Sequence, residues 1–372
     1  MFGPEHLEAL AAHVPGTKKA ASAEGGDFGW TAGGHIFDTS FTMEKNVVDD
    51  TLQFSLRIDT NKLPADLLQA YAAIELEALS SKNPSGQPSA RQRREARDTA
   101  RQRIEAEARD GRFLKRKAFS ALWDARSNEV VASIASEAAA DKLYLLFKAT
   151  FSVGLEPLTA GALAFQLAES RGQTRGIDDA QPSPFTPGPP YTSVHWAPDE
   201  ESKDWLGNEF LLWLWHQLEE NEGSVPLNDR TEVVVMIANT LSLECPRGQT
   251  GKEVLTHEAP TRLPESRRAI QSGKLPRKAG LILSRQGSQY ELALSAERFG
   301  LSGVKLPPTE ETEEQGRREE RVGQLRHLIE TLDLLYDAFG SRRASSAWAR
   351  ELPALQAWLQ REERPRRATS AG

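Results

Sequence analysis

The chain has 372 residues, 39% of them hydrophobic, enough to bury a core in two or three domains. Its single cysteine, Cys245, rules out an intramolecular disulfide framework and a cysteine-rich metal site, and no run of about 18 apolar residues signals a transmembrane helix. The formal net charge is −7 and the first residues lack the basic-then-apolar layout of a signal peptide, so a soluble protein in a reducing cytoplasm is expected.

In chain order, residues 4–13 read as a short amphipathic helix beginning at Pro4, followed by a small-residue loop over 15–27. His35 to Phe41 and Leu52 to Ile58 read as strands by alternation, with Leu52, Phe54, Leu56 and Ile58 on one face. Pro64 opens a helix whose stripe is Leu67, Leu68, Tyr71, Ile74 and Ala78, and Asn83-Pro84-Ser85-Gly86 stops it.

Residues 89–118 then hold eleven cations: Arg91, Arg93, Arg94, Arg97, Arg101, Arg103, Arg109, Arg112, Lys115, Arg116 and Lys117. Five acids lie among them, so the segment carries +6 and the rest of the chain −13. A positive segment on a negative protein is the layout that favours a polyanion there and repels it elsewhere. A solvated helix with i,i+4 pairs such as Arg91–Glu95 and Arg101–Glu105 is the plainer reading. The apolar stripe, Ala96, Ala100, Ile104 and Ala108, is thin and made mostly of small residues. So little apolar area cannot pin the helix into a core, and an arm with its arginines in solvent or on a ligand is expected. Arg93, Arg97 and Arg101, at i,i+4 spacing, share one face of it.

Beyond the basic helix, Arg112 to Trp123 and Glu129 to Ala135 read as strands, and Ser136 to Thr150 as a helix with Leu143, Leu146 and Phe147 inward. A Gly- and Pro-rich linker over 171–192 marks a boundary. Trp205 to Glu219 is a strongly apolar helix, followed by strand candidates at 231–238, 240–245, 278–284 and 289–294. A helix at 264–272 ends at Gly273, and Val322, Leu325, Ile329, Leu332, Tyr336 and Phe339 step along a long closing helix. No internal repeat is visible. The expected fold is α+β, with mixed or antiparallel sheets and a protruding charged helical arm. Its parts are an N-terminal α+β region over 1–170 with the arm at about 62–123, and a linker or insert over 171–203. A C-terminal α+β region over 204–340 and a charged, partly disordered helical tail over 341–372 complete it. The apolar stripes of 205–218 and 322–339 exceed what one small domain need bury, which points to a dimer.

Catalytic signatures fail one by one. Gly251-Lys252 lacks the rest of a phosphate loop, with Pro246 where glycine is needed and Glu253 in place of Ser or Thr. His257-Glu258 has no second histidine after it, and the seven histidines show no i,i+4 pair, so no zinc site is expected. No Gly-x-Ser-x-Gly elbow occurs. Asp199, Glu201 and Lys203 carry the letters of a restriction-type nuclease but crowd into six residues, too few for two adjacent strands. Asp49-Asp50 reads as a turn. The expectation is a protein that is not an enzyme, with no catalytic residue, metal or cofactor. A metal-dependent DNA exonuclease and a protein-interaction module for an acidic partner are the alternatives.

The succession of these features resembles the RdgC family of bacterial recombination-associated proteins. The correspondence runs from Gly29-Trp30 through the strand Leu52 to Ile58 and the charged arm. It continues in Lys115-Arg116-Lys117-Ala118-Phe119-Ser120 and Phe151 to Leu158, and resumes at Trp205 to Glu219, at Ile270-Gln271-Ser272-Gly273-Lys274 and in the closing strands and helix. Family members usually begin with an apolar strand where this chain opens on a helix, and the 171–203 insert is longer here. The resemblance implies a non-catalytic homodimer closed into a ring around double-stranded DNA, with little sequence preference. It would restrain RecA-type recombinases indirectly through DNA, on the nucleoid. It implies that Phe119 sits at a ring-closing contact and that Arg116, Lys117 and Lys274 line the hole. With the arm, the implied DNA-binding set is Arg91, Arg93, Arg94, Arg97, Arg101, Arg103, Lys115, Arg116, Lys117 and Lys274.

Overall fold

The computed structural model describes residues 1–16, 27–81, 87–185, 202–246 and 251–361. It divides into two compact units, Met1–Glu156 and Pro157–Gly372, each α+β with an antiparallel sheet. The division falls ahead of the Gly- and Pro-rich stretch at which a boundary was expected.

The first unit opens with α1 (Pro4–Ala11), which buries Leu7 and Leu10. There follow β1 (Phe28–Thr31), the single turn α2 (Met43–Asn46), β2 (Val47–Val48) and β3 (Thr51–Asn61). Next come α3 (Ala65–Ser80), α4 (Ala90–Ala108), β4 (Leu114–Asp124), β5 (Glu129–Ala132) and α5 (Glu137–Phe151). The sheet order is β1-β3-β4-β5, with β2 also on β3. Strand alternation sends Leu52, Phe54, Leu56 and Ile58 of β3 to one face, where they meet Trp30 and the Leu143, Leu146 and Phe147 face of α5.

His35 to Phe41 is not a strand. Asp38 folds it into turns: its carboxylate accepts from the Gly34 and Ser40 amides at 3.1 Å, and its own amide donates to the His35 carbonyl at 2.9 Å. The edge strand lies earlier, at Phe28–Thr31, directly after the residues read as loop. Asp49 and Asp50 form the two-residue hairpin between β2 and β3, both at positive φ (43° and 59°), which is the turn read from the sequence.

The second unit comprises α6 (Ala160–Ser170), α7 (Thr174–Asp178), α8 (Leu206–Glu220), β6 (Ser224–Pro226), β7 (Glu232–Glu244) and β8 (Glu253–His257). After these come α9 (Pro264–Gln271), β9 (Leu275–Arg285), β10 (Ser288–Ser295), β11 (Leu301–Lys305), α10 (Glu314–Arg343) and α11 (Ala347–Leu359). Its sheet runs β11-β10-β9-β7-β6, with β8 on β7. The two strand candidates at 231–238 and 240–245 are one strand, β7, whose pairing with β9 shifts register around Asn239, at φ 64°.

Helix α8 is apolar nearly all round because it is buried nearly all round, with Phe210, Trp213 and Trp215 at 0–1% exposure. From α10, Leu328, Leu332, Leu335, Tyr336 and Phe339 join the same core. Of the stripe read as dimer surface, Leu332, Tyr336 and Phe339 belong to this core, whereas Leu325 and Ile329 are half-buried and stand outside it. Residues 171–185, expected to be linker, are packed as well: Ile177, Ala180 and Phe185 are core. They also complete a buried ion pair. Glu209 accepts from Arg343 Nε at 2.7 Å and from the Ser183 amide at 2.7 Å, and Trp348 Nε1 donates to Ser183 Oγ at 2.9 Å. Of the tail, α11 is core through Leu355, Trp358 and Leu359, and residues 362–372 lie outside the described chain.

Candidate nucleic-acid interface

Helices α3 and α4 form a hairpin inserted between β3 and β4, which pair over all eleven residues from Thr51↔Asp124 to Asn61↔Leu114. The Lys62 amide closes its neck by donating to the Phe113 carbonyl at 3.2 Å. Residues 90–108 contain no Gly or Pro and are mostly Ala, Arg, Gln and Glu, the strong helix formers. Ser89 starts the helix with a reciprocal cap: its Oγ accepts from the Gln92 amide (3.3 Å), and its own amide donates to Gln92 Oε1 (2.9 Å). Gln92 Nε2 then donates to the Leu79 carbonyl (3.1 Å), tying the start of α4 to the end of α3.

The expected stripe of Ala96, Ala100, Ile104 and Ala108 is buried at 0–5% exposure. It lies on α3, whose facing residues are the half-buried Leu68, Tyr71, Leu76 and Leu79; Ile74 and Ala78 point to solvent instead. Burial is thus complete along a narrow strip, and the rest of the α4 perimeter is exposed.

The arginines divide into rows at i,i+4 spacing. One row is Arg93, Arg97, Arg101, Glu105 and Arg109, in which Glu105 takes Arg101 at 2.9 Å and leaves the others unmatched. The opposite row holds Arg91, Glu95, Arg103 and Glu107. Here Arg103 stands 4.0 Å over the Tyr71 ring and 3.7 Å from Glu107, and Arg112 reaches Glu107 at 3.5 Å. Tyr71 donates its hydroxyl to Glu107 Oε1 at 2.8 Å, and this bond raises the phenol above its ordinary pKa. Hydrogen bonds from Arg112 hold the Asp110 carboxyl below its ordinary value. The Arg103, Glu107, Asp110 and Arg112 part of that flank is internally neutralised.

Arg91, Arg93, Arg94, Arg97 and Arg109 are exposed and make no ion pair with any described residue. Four of the five fall in the first two turns of α4, where no acid occupies the first turn. A helix N-terminus carries the positive end of the macrodipole, so cations there are unfavourable by a few tenths of a kcal/mol each. Stability alone would place Asp or Glu at these positions. The sequence accepts the repulsion.

The three consecutive cations of β4 do not act as one group. Alternation puts Lys115 and Lys117 on the face of Phe119, across from Thr60 and the core residue Ile58, and both are exposed. Arg116 is on the opposite face, 3.4 Å from Asp59. Phe119 is half-buried, sits across from Leu56 and packs on the core. Lys274 belongs to the second unit, is 7% exposed and pairs with Glu253, so no free cation stands there. Arg109, outside the implied DNA-binding set, completes the row of Arg93 and Arg97 by its spacing.

Among the described residues no group of three or more His, Cys, Asp or Glu side chains could hold a metal ion, and Asp199 and Glu201 lie outside them. No helix among them is long and apolar enough to cross a membrane. No protein-family model matches the chain, and no curated protein matches it.

Proposed function

We propose that the chain is a double-stranded DNA-binding protein without sequence preference. In this reading it works as a ring-shaped homodimer that closes around the duplex and modulates RecA-type recombination, on the nucleoid in the cytoplasm. One observation carries the DNA part: a row of exposed, unmatched arginines at the start of α4, on a helix whose opposite flank is neutralised around Arg103, Glu107, Asp110 and Arg112. Phosphate contacts of this kind position a protein and read no sequence, which suits encirclement. The ring and the recombinase rest on the resemblance to the RdgC family. In that ring the α3–α4 hairpin is the charged arm that reaches the duplex.

A mobility-shift assay with and without EDTA, using plasmid and an unrelated acidic protein as competitors, tests the reading. Binding that plasmid competes away, that EDTA leaves unchanged and that shortens no strand is the expected result. Loss of substrate in magnesium would replace it with the exonuclease, and competition by the acidic protein alone with the interaction module. Sedimentation should give a mass near twice 41.1 kDa. A monomer with and without DNA removes the ring.

A further inference from the structure

The face of the first sheet turned away from α5 carries an aromatic that the α4 reading does not use. Phe37 is 58% exposed. It is held there by the turns around Asp38: its amide donates to His35 Nδ1 at 3.2 Å, and the Ala32 amide donates to the Asp38 carbonyl at 2.7 Å. Lys45 Nζ locks the Asp38 carboxylate at 2.8 Å. Two guanidiniums back the ring, Arg57 at 5.0 Å and Arg116 at 5.5 Å from its centroid. Both lean on one buried carboxylate: Asp59 accepts from Arg57 at 2.5 and 2.7 Å and lies 3.4 Å from Arg116, which leaves one positive charge unmatched among the described residues. Next to Arg116 on the same face of β4, Ala118 and Ser120 are exposed and small.

We propose that Phe37, with Arg116 beside it, is a stacking station for an unpaired base of single-stranded DNA, distinct from the duplex contacts of α4. A single strand offers both complements on one chain: a planar base for the open face of the ring and a phosphate for the surplus guanidinium. Ala118 and Ser120 leave a flat floor on which the neighbouring nucleotide lies. Presentation on a pinned turn means that little conformational freedom is lost on stacking. This rests on the nucleic-acid reading of the first unit and extends it to unpaired bases.

Fluorescence anisotropy on the full chain tests it, with labelled oligo(dT) of about 20 nucleotides and a duplex of equal length. Phe37→Ala should weaken oligo(dT) binding by about 5- to 150-fold, the usual loss for one base–aromatic stack, and leave duplex binding within about twofold. Phe37→Trp should restore oligo(dT) binding. Unchanged oligo(dT) affinity in Phe37→Ala overturns the proposal while the α4 reading stands. Equal loss of both ligands also overturns it, because the ring is then only a cover for Arg57 and Asp59. A wild-type protein that binds neither ligand overturns both readings.

Discussion

Replacing Arg93, Arg97 and Arg101 together with Gln tests whether the α4 row meets phosphate. Each bound phosphate releases condensed counterions and contributes a slope of about 0.9 in log K against log salt. Arg93 and Arg97 have no ion-pair partner among the described residues to give up, so they account for about 1.8. Arg101 must first leave Glu105 at 2.9 Å and adds between about 0 and 0.9. The triple variant should therefore lower the slope by about 2 to 3 units, equally for unrelated duplexes. Between about 50 and 200 mM salt, a slope lower by about 2 means that the variant loses roughly 15-fold less affinity than the wild type. Filter binding or anisotropy across that range reads it directly. Replacing Arg103 and Arg112 with Gln is the control, since Glu107, Asp110 and Tyr71 already engage them, and its slope should change by less than about 1.

The same triple variant makes a second, opposite reading testable on stability. Gln and Arg have similar helix propensity, and taking cations from the positive end of a helix removes repulsion. The thermal midpoint should stay level or rise slightly. A slope equal to that of the wild type, with a midpoint that falls, would mean that these arginines are a solvated face serving α4 itself.

Phe119→Ser should cost about 1–2 kcal/mol, because the ring is half-buried on the core opposite Leu56, and should lower the thermal midpoint by about 2–8 °C. An unchanged midpoint with loss of the dimer in sedimentation would return Phe119 to a subunit contact. Glu209→Ala leaves Arg343 buried and uncompensated and should cost about 3–5 kcal/mol, read as a lower midpoint in urea, whereas Glu209→Leu with Arg343→Met should recover much of the loss. If the single and double variants unfold alike, the pair is not what organises residues 181–183 around α8.

Elements defined by their own residues were legible in the sequence. β3 alternates cleanly, α8 is a strongly apolar run, and α4 is an unbroken run of helix formers. What escaped depends on contacts that alternation and composition do not reveal, one of them local and the others remote in sequence. His35 to Phe41 alternates like a strand, yet Asp38 satisfies the amides on either side and makes the turn cheaper. Residues 171–185 have linker composition, but Ser183 and the Gln181 carbonyl are needed to satisfy Glu209 and Arg343, which come from two distant helices. A lone Gly-Lys at 273–274 looks like a free cation until Glu253 arrives from β8. For the candidate interface, composition revealed the charge but not its division, because Tyr71 on α3 decides which part is neutralised.

The thin apolar stripe of α4 was read as too weak to fix the helix, and the structure shows what fixes it instead. Three alanines and one isoleucine bury little area, so α4 gains only modest stability from α3. The hairpin's two ends, however, grow directly from β3 and β4, which are joined by eleven consecutive pairs and a closed neck. Position is set by the sheet, and the helix contributes only its short strip. A wider apolar face would have brought more of the helix perimeter against protein, where unmatched guanidiniums are costly and acids would be needed to offset them. Keeping the strip narrow leaves the Arg93, Arg97 and Arg109 row in water at full charge while its backbone is held at a fixed place on the fold. The same limit shows on β4: Phe119 is its last residue on that face that packs inward, and Lys117 and Lys115 beyond it are exposed, although Lys117 still lies across from the core residue Ile58.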